Sequence, residues 1–365
     1  MITEILYVTR ETAWLPWAVQ YFFLIGLSAG CFLLSLPGMA FARADWRKLS
    51  RLALLGALVC GTTAPVALLA DLHQPGRFLN FYLHPQLDSW MAWGAFFIPL
   101  YLGGLFLYAW AALRPDFRAA AETGGMLAPV QSILGGAAVP GLVRAFALVA
   151  LAGAFLVLLY TGVEVMVIEA RPLWHTPVLP LQFAATALAG SLGLVLVFNR
   201  IVGDVDAQVE ARLNRCLAAT LVVVMALGGV WFALGLSGLS ATHAAALAEV
   251  APSPSWKLTA LWGALATVVP LAVALRWPAG SGWITGLIAL HSAWMFRWTV
   301  FIGGQDIPKT GAGFYEYNLP LGPEGLMGIV GTAGLWVFVL IVLVTLLPWS
   351  EARAQNASPT AAKGV

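Results

Sequence analysis

The chain reads as an all-α polytopic integral membrane protein with about nine transmembrane helices, its N-terminus outside and its C-terminus cytoplasmic, arranged as two four-helix bundles plus one extra helix. Three observations predict this class. Of its 365 residues 60% are hydrophobic and 10% charged, and the mean hydropathy is +0.85, more apolar surface than a water-soluble globule of this size could cover. Nine apolar runs are each long enough to cross a hydrocarbon core of roughly 30 Å as a helix of about 20 residues. Lysine and arginine, finally, gather on alternate loops.

The runs cover approximately residues 17–41, 52–70, 90–113, 142–168, 178–198, 216–236, 256–275, 283–302 and 326–347. Trp14 and Trp17 open the first, which carries Gln20; Asp71 closes the second; Trp90 and Trp93 repeat the W-x-x-W spacing at the third. The fourth holds Tyr160 and Glu164, the seventh opens on Trp256, and the eighth contains His291 and Arg297. An odd number of crossings puts the termini on opposite sides. Thirteen of the nineteen basic residues then share one side, including the cluster Arg43, Arg47, Lys48 and Arg51, against five on the other: Arg10, Arg77, Arg171, Lys257 and Lys309. Arg297 lies within a run. The basic side is cytoplasmic by the positive-inside rule, and the tryptophans at run ends form an aromatic belt on the outer side.

Residues 1–350 form a single membrane domain, divided into 1–113 with 142–175, a second helix bundle at 176–305 and a last helix at 326–347; residues 351–365 read as a disordered cytoplasmic tail. The loops are short except 114–141 and 303–325, and neither could house a catalytic domain. Cys31, Cys60 and Cys216 lie far apart within apolar runs, so no disulfide framework or metal-ligand pair is present and no metal site is expected. The N-terminus lacks the basic region and small-residue cleavage site of a signal peptide.

Ionisable groups inside a membrane are costly, on the order of 2.5–3.5 kcal/mol each on insertion scales, and usually pair or line a functional cavity. At about 1.5 Å per helical residue, Gln20, Asp71, Glu164 and Arg297 fall at similar depth near the outer side, with His73 and Arg77 following Asp71 and Arg171 following Glu164. Tyr160 lies four residues before Glu164 on the same face. Each has a plainer reading: Asp71 and Arg77 as a helix end and a loop charge, Glu164 as half of a structural salt bridge with Arg77 or Arg171, Arg297 as a packing charge. His84 and His175 read as surface residues, and Trp294 with Trp298 as packing rather than an electron relay. His291 is the only mid-membrane histidine, which disfavours bis-histidine haem; with Arg297 it is the one visible fragment of a proton path.

Carboxylates, imidazole and guanidinium in an outer pocket suit a quinone. The headgroup needs hydrogen-bond partners for two oxygens, a neighbouring acid or base for two protons, and an apolar opening for the tail. In this reading Asp71 and Glu164 transfer protons while His73, Arg77 and Arg171 orient the carboxylates. No electron carrier is encoded, so electrons must leave through a partner docked outside. A secondary transporter and a purely structural membrane anchor are the competing classes; the charges gather near one face rather than at the midplane breaks typical of transporters.

Five separated segments carry a family resemblance: Trp14-Leu15-Pro16-Trp17-Ala18-Val19-Gln20-Tyr21-Phe22-Phe23; Ala70-Asp71-Leu72-His73-Gln74; Trp90-Met91-Ala92-Trp93-Gly94-Ala95; Tyr160-Thr161-Gly162-Val163-Glu164-Val165 with Ala170-Arg171-Pro172; and Arg297-Trp298-Thr299 followed by Ile307-Pro308-Lys309. Over residues 14–347 the chain resembles the NrfD-like, polysulfide reductase membrane-subunit family. The resemblance implies a haem-free anchor of a complex of three subunits in the bacterial inner membrane, exchanging electrons between menaquinone or ubiquinone and a ferredoxin-like iron-sulfur subunit. A molybdopterin catalytic subunit would share the outer face, in respiration of sulfur compounds of the tetrathionate or polysulfide type. It also implies a quinone pocket at the outer end of the first four helices, with Gln20 and Tyr160 as candidates.

Overall fold

Long apolar runs without water to satisfy their backbones must become helices, and the computed structural model shows nine long ones. It describes residues 13–72, 74–307, 317–347 and 349; His73, Lys309 and the predicted tail lie outside them. The helices are α1 (Pro16–Met39), α2 (Arg47–Asp71), α3 (Trp90–Glu122), α4 (Pro140–Met166), α5 (Val178–Ile201), α6 (Ala207–Ser237), α7 (Pro254–Arg276), α8 (Gly282–Trp298) and α9 (Leu326–Leu346), and no strand occurs among the described residues. Eight of them have the length and apolarity to cross a bilayer. The ninth, α8, has 17 residues and gains its reach from a π-helical turn, Thr299–Gly303, and a last turn at Gly304–Asp306.

Local chemistry sets the ends. Proline begins α1, α4 and α7, where its missing N–H costs nothing. Gly238, at φ 68°, ends α6 in the left-handed region. Two expectations about loops need correction. The third helix runs on to Glu122 rather than stopping at Leu113, because Ala119, Ala120 and Ala121 are strong helix formers, and a further helix occupies Ala128–Leu134. The link between α6 and α7, read only as a short loop, contains the helix Ala241–Val250, capped by Ser240.

The first four long helices pack as one group, α1 on α2 and α4, α3 on α4 and α2. The next four form a second, α5 against α6 and α8, with α7 closing on both α6 and α8. α5 also leans on α1, α2 and α4 and so joins the groups, while α9 packs on α2 and α1 with most of its surface outward. Small residues make the closest crossings. A Cβ at Gly153 would lie 2.5 Å from Tyr101 Cα, and one at Gly104 2.7 Å from the Ala150 nitrogen, so α3 and α4 touch backbone to backbone.

We call the end bearing Asp71, Trp90 and Met166 the site face and the end bearing Arg47 the basic face. On the basic face Lys48 pairs with Asp206 at 3.4 Å and Arg51 with Asp116 at 3.0 Å, linking α2 to the start of α6 and to α3. Asp206 also caps α6, accepting from the amides of Gln208 (2.8 Å) and Val209 (3.2 Å). Its surroundings act in two directions: burial disfavours the charge, but the Val209 and Gln208 amides and the Lys48 ammonium outweigh it and hold the carboxyl below the usual carboxylate range.

Arg297 of α8 is 1% exposed. Its guanidinium donates to Thr186 Oγ1 (2.5 Å) and the Phe183 carbonyl (2.9 Å) on α5 and to the Ala293 carbonyl (3.2 Å). Among the described residues no carboxylate lies within ion-pair distance of it.

Because the folded Asp206 carboxyl is more acidic than an unfolded one, its stabilisation is present above about pH 4 and fades as pH falls through the folded value. Asp206→Ala should therefore cost about 1 kcal/mol at neutral pH, a gap that narrows at acid pH when thermal unfolding is followed in detergent. A buried guanidinium facing only neutral acceptors is a net cost despite its hydrogen bonds. Arg297→Met should thus unfold no earlier than wild type, with a gain of up to about 2 kcal/mol, in the same measurement.

Candidate functional site

At the site face the ends of α1, α2, α3 and α4 bring two carboxyls and two phenols together. Asp71 is the last residue of α2, and its Oδ1 accepts the Leu15 N–H at 3.3 Å. Leu15 is the N-cap of α1, a position without a side-chain cap of its own, so Asp71 receives a donor at the helix start. Glu164 sits two residues from the end of α4, 8% exposed, one turn beyond Tyr160. Tyr160, Tyr21 of α1 and Asp71 all lie within electrostatic reach of the Glu164 carboxyl.

The walls are aromatic and tight. Tyr160 lies against Gly94 of α3, where a Cβ would come within 2.4 Å of the ring and hydroxyl. Phe97 meets Tyr160 edge-on at 6.3 Å and stacks on Trp93 at 5.7 Å. Gly162 lets α4 approach Pro180 of α5, whose Cα would be 2.3 Å from an added Cβ. Within this enclosure Glu164 Oε2, the Tyr21 hydroxyl and Gln20 Nε2 are buried without hydrogen-bond partners. Buried polar groups are usually satisfied; these three lie together at one end of the bundle, and Gln182 Oε1, Asn199 Oδ1 and Arg297 Nε are similarly unbonded elsewhere.

Gln20 stands somewhat apart. At 100° per residue it shares a face of α1 with Cys31, which packs against Gly56 of α2, whereas Tyr21 shares a face with Ser28, bonded to Tyr101 of α3. Both faces meet α2, since Ser28 Oγ also donates to Ala57 O and Cys31 also reaches Ser191 O on α5, so Gln20 and Tyr21 differ by about 100° around α1 at the same end of the bundle. Next to the cluster a cleft of about 590 Å³ opens, lined by Leu72, Arg77, Phe78, Phe81, His84, Met91 and Ala92 among others. Leu72 follows Asp71 in the chain, and Ala92 precedes the glycine under Tyr160 by two residues.

The two arginines expected to orient the carboxylates have other partners. Arg77 is exposed and donates to Gln74 Oε1 at 2.6 Å. Arg171 donates to the carbonyls of Gly304 (2.8 Å) and Ile307 (3.1 Å) and lies over the Trp174 ring at 4.9 Å; partial burial pulls its pKa down, with the Asp306 carboxylate pulling the other way. Among the described residues neither pairs with Glu164. His73 falls outside the described residues. His291 is exposed and stacks on Trp262 of α7 at 4.9 Å, while Arg297 is buried against α5, so the structure does not bring these two together.

His84 is exposed and lines the cleft, whereas His175 and His243 are structural in their contacts. His175 Nδ1 bonds the Met166 carbonyl at 2.9 Å. His243 is buried between Thr176 Oγ1 (2.7 Å) and Ser240 Oγ (2.6 Å), and burial lowers its pKa, favouring the neutral ring. Trp294 and Trp298 stack on each other at 5.2 Å.

Sequence reasoning overlooked Tyr21 and Gln305. The π-helical turn after α8 releases carbonyls that a regular helix would satisfy. Trp174 Nε1 takes Val300 O (2.7 Å), and Gln305 Nε2 takes Phe301 O (2.9 Å). Gln305 also holds both backbone groups of Trp14, accepting its N–H at 3.1 Å and donating to its C=O at 2.9 Å. The visible signal was Gly303-Gly304-Gln305, two glycines and an amide at a helix end; Gly304 is required because a Cβ there would lie 2.2 Å from the Trp174 indole nitrogen.

Comparison with known proteins agrees with this architecture. The family model described as "Polysulphide reductase, NrfD" matches residues 8–309. The chain is 35% identical over 364 residues to a tetrathionate reductase subunit of Salmonella typhimurium, covering 98% of both chains. It is 30% identical over 116 residues to a selenate reductase subunit of Mesobacillus selenatarsenatis, 32% of this chain and 27% of that one. A putative dimethyl sulfoxide reductase membrane subunit of Halobacterium salinarum is 28% identical over 187 residues, 51% and 43% of the two chains. Nine long helices, an acid-phenol cluster where α1, α2 and α4 end, and a family match across most of the sequence lead to one assignment: this polytopic membrane protein belongs to the NrfD family.

Proposed function

We propose that the chain is the haem-free membrane anchor of a molybdopterin oxidoreductase complex, and that it oxidises quinol or reduces quinone, menaquinone or ubiquinone, at the Asp71–Glu164 cluster. The observation that carries this is the Tyr160–Glu164 pair, buried beside Asp71, with Glu164 Oε2 and the Tyr21 hydroxyl unbonded and a cleft of ligand size adjoining them. The phenols and Gln20 supply hydrogen bonds to the two quinone oxygens. The carboxyls supply proton transfer, and the aromatic wall of Trp93, Phe97 and Tyr160 accommodates the ring.

In the oxidising direction quinol loses two protons and two electrons. The protons pass to Glu164 and Asp71 and then to water at the site face; the electrons pass to an iron-sulfur cluster of a partner subunit seated there. Reduction runs the same steps backwards. The excess of lysine and arginine on the basic face supports placing the site face outside a bacterial inner membrane. Family membership, and relatives that are subunits of tetrathionate, selenate and dimethyl sulfoxide reductases, support a ferredoxin-like iron-sulfur partner and a molybdopterin catalytic partner on that face. The full-length similarity to a tetrathionate reductase subunit favours sulfur-compound respiration.

Asp71→Asn and Glu164→Gln should each lower quinol-linked turnover by about a hundredfold, while copurification of the partners and activity with an artificial electron dye stay at wild-type levels. Wild-type quinol turnover in Asp71→Asn would sink the assignment, and a purely structural anchor would show no saturable binding of a quinone analogue.

A further inference from the structure

The candidate site belongs to the first four helices, yet one of its carboxyls is positioned from the far end of the second bundle. Asp71 Oδ1 accepts the Leu15 N–H. Residues 14 and 15 precede α1; the Leu15 C=O accepts the Ala18 N–H at 3.0 Å, but the N–H groups of both residues have no partner within the helix, so the direction of these N–H groups must be set from elsewhere. It comes from Gln305. The 7%-exposed amide pairs with both the N–H and the C=O of Trp14, and its Nε2 also bonds Phe301 O inside the π-helical turn. The Trp14 indole is stacked on Phe301 at 4.8 Å and on Phe22 at 5.6 Å, which blocks rotation about that backbone. An amide that both donates to and accepts from one residue fixes its peptide planes in the manner of a strand pair, and the next N–H in the chain is the one Asp71 accepts.

We infer that Gln305 is a positioning residue for the proton-transferring carboxyl: it sets the Leu15 N–H and thereby aims Asp71 at Glu164. The inference rests on the proposed quinone site. The π-helical turn is part of the device. It offsets the last turn of α8 from the regular helical register, and this places Gln305 beside Trp14 while Trp174 and Arg171 take up the carbonyls of Val300, Gly304 and Ile307.

The test is a double-mutant cycle in the assembled complex, with a short-chain quinol as donor. Gln305→Leu should lower kcat about tenfold with KM changed by less than about twofold, and with assembly and dye-linked activity intact. In an Asp71→Asn background, Gln305→Leu should lower the residual turnover no further, because the group it aims is gone. Losses that multiply, or a Gln305→Leu enzyme with wild-type kcat, would overturn the inference while leaving the site assignment standing. Wild-type turnover in Asp71→Asn would instead remove the site assignment itself. Should Gln305→Leu fail to assemble, the isosteric Gln305→Glu carries the same cycle. It keeps the bond accepted from Trp14 N–H, loses both donated bonds, and should fall between wild type and Leu.

Discussion

The close approach of α1 to α5 is the contact on which the rest of the molecule depends, because it is what makes two four-helix groups one body. Glycines set it: a Cβ at Gly30 would lie 2.3 Å from Ser191 Oγ, and one at Gly26 3.1 Å from Ala187 Cβ. With lipid outside, polar groups near that seam take neighbours as partners, Arg297 Nε being an exception. Ser191 Oγ accordingly bonds both Leu27 O and Ala187 O. Arg297 reaches α5 across the same seam, and its guanidinium passes close to Gly26, where a side chain would crowd it.

Unbonded buried atoms occur along α5 and at the seam too, at Gln182 Oε1, Asn199 Oδ1 and Arg297 Nε, but the site face gathers three of its own. Close by, Trp174, Arg171 and Gln305 collect the carbonyls that the π-helical turn sets free, so the protein takes care there to leave little unbonded. A few residues away Glu164, Tyr21 and Gln20 keep buried atoms without partners. Leaving a buried donor or acceptor unmade costs about 1–3 kcal/mol, and three of them beside a cleft are more readily understood as ligand contacts than as packing faults.

Much of this was legible in the sequence, and the failures share one cause. Hydropathy marks where helices cross and how deep a residue lies, so it alone suffices to put Asp71, Tyr160 and Glu164 in one layer. Depth says nothing about azimuth. Arg171 and His291 lie at plausible heights but hold the end of α8 and stack on Trp262, respectively, while Arg77 lines the cleft and donates to Gln74 rather than to a carboxylate. Tyr21 escaped notice because a phenol in a transmembrane run carries no charge to flag it. Gln305 escaped because the π-helical turn that delivers it is a local change of hydrogen-bond register, which no hydrophobic period records. The overlong α3 is the opposite case: its alanine-rich extension has helical propensity without hydrophobic run, and a search for spans passes over it.

The Gln305–Trp14 clamp joins residues 291 positions apart, and that separation bears on biosynthesis. A ribosome delivers α1 first and the end of α8 much later, at roughly 5–20 residues per second. Until then Trp14 lacks Gln305 and Phe301, and only its stack on Phe22 and the Leu15 C=O bond to Ala18 hold the entry to α1. The first four helices can be inserted and packed, but the carboxyl pair is not set until the eighth has arrived. A nascent or truncated chain therefore holds Asp71 and Glu164 in the membrane without the clamp that fixes the entry to α1, and the cluster takes its final geometry only when the chain is nearly complete.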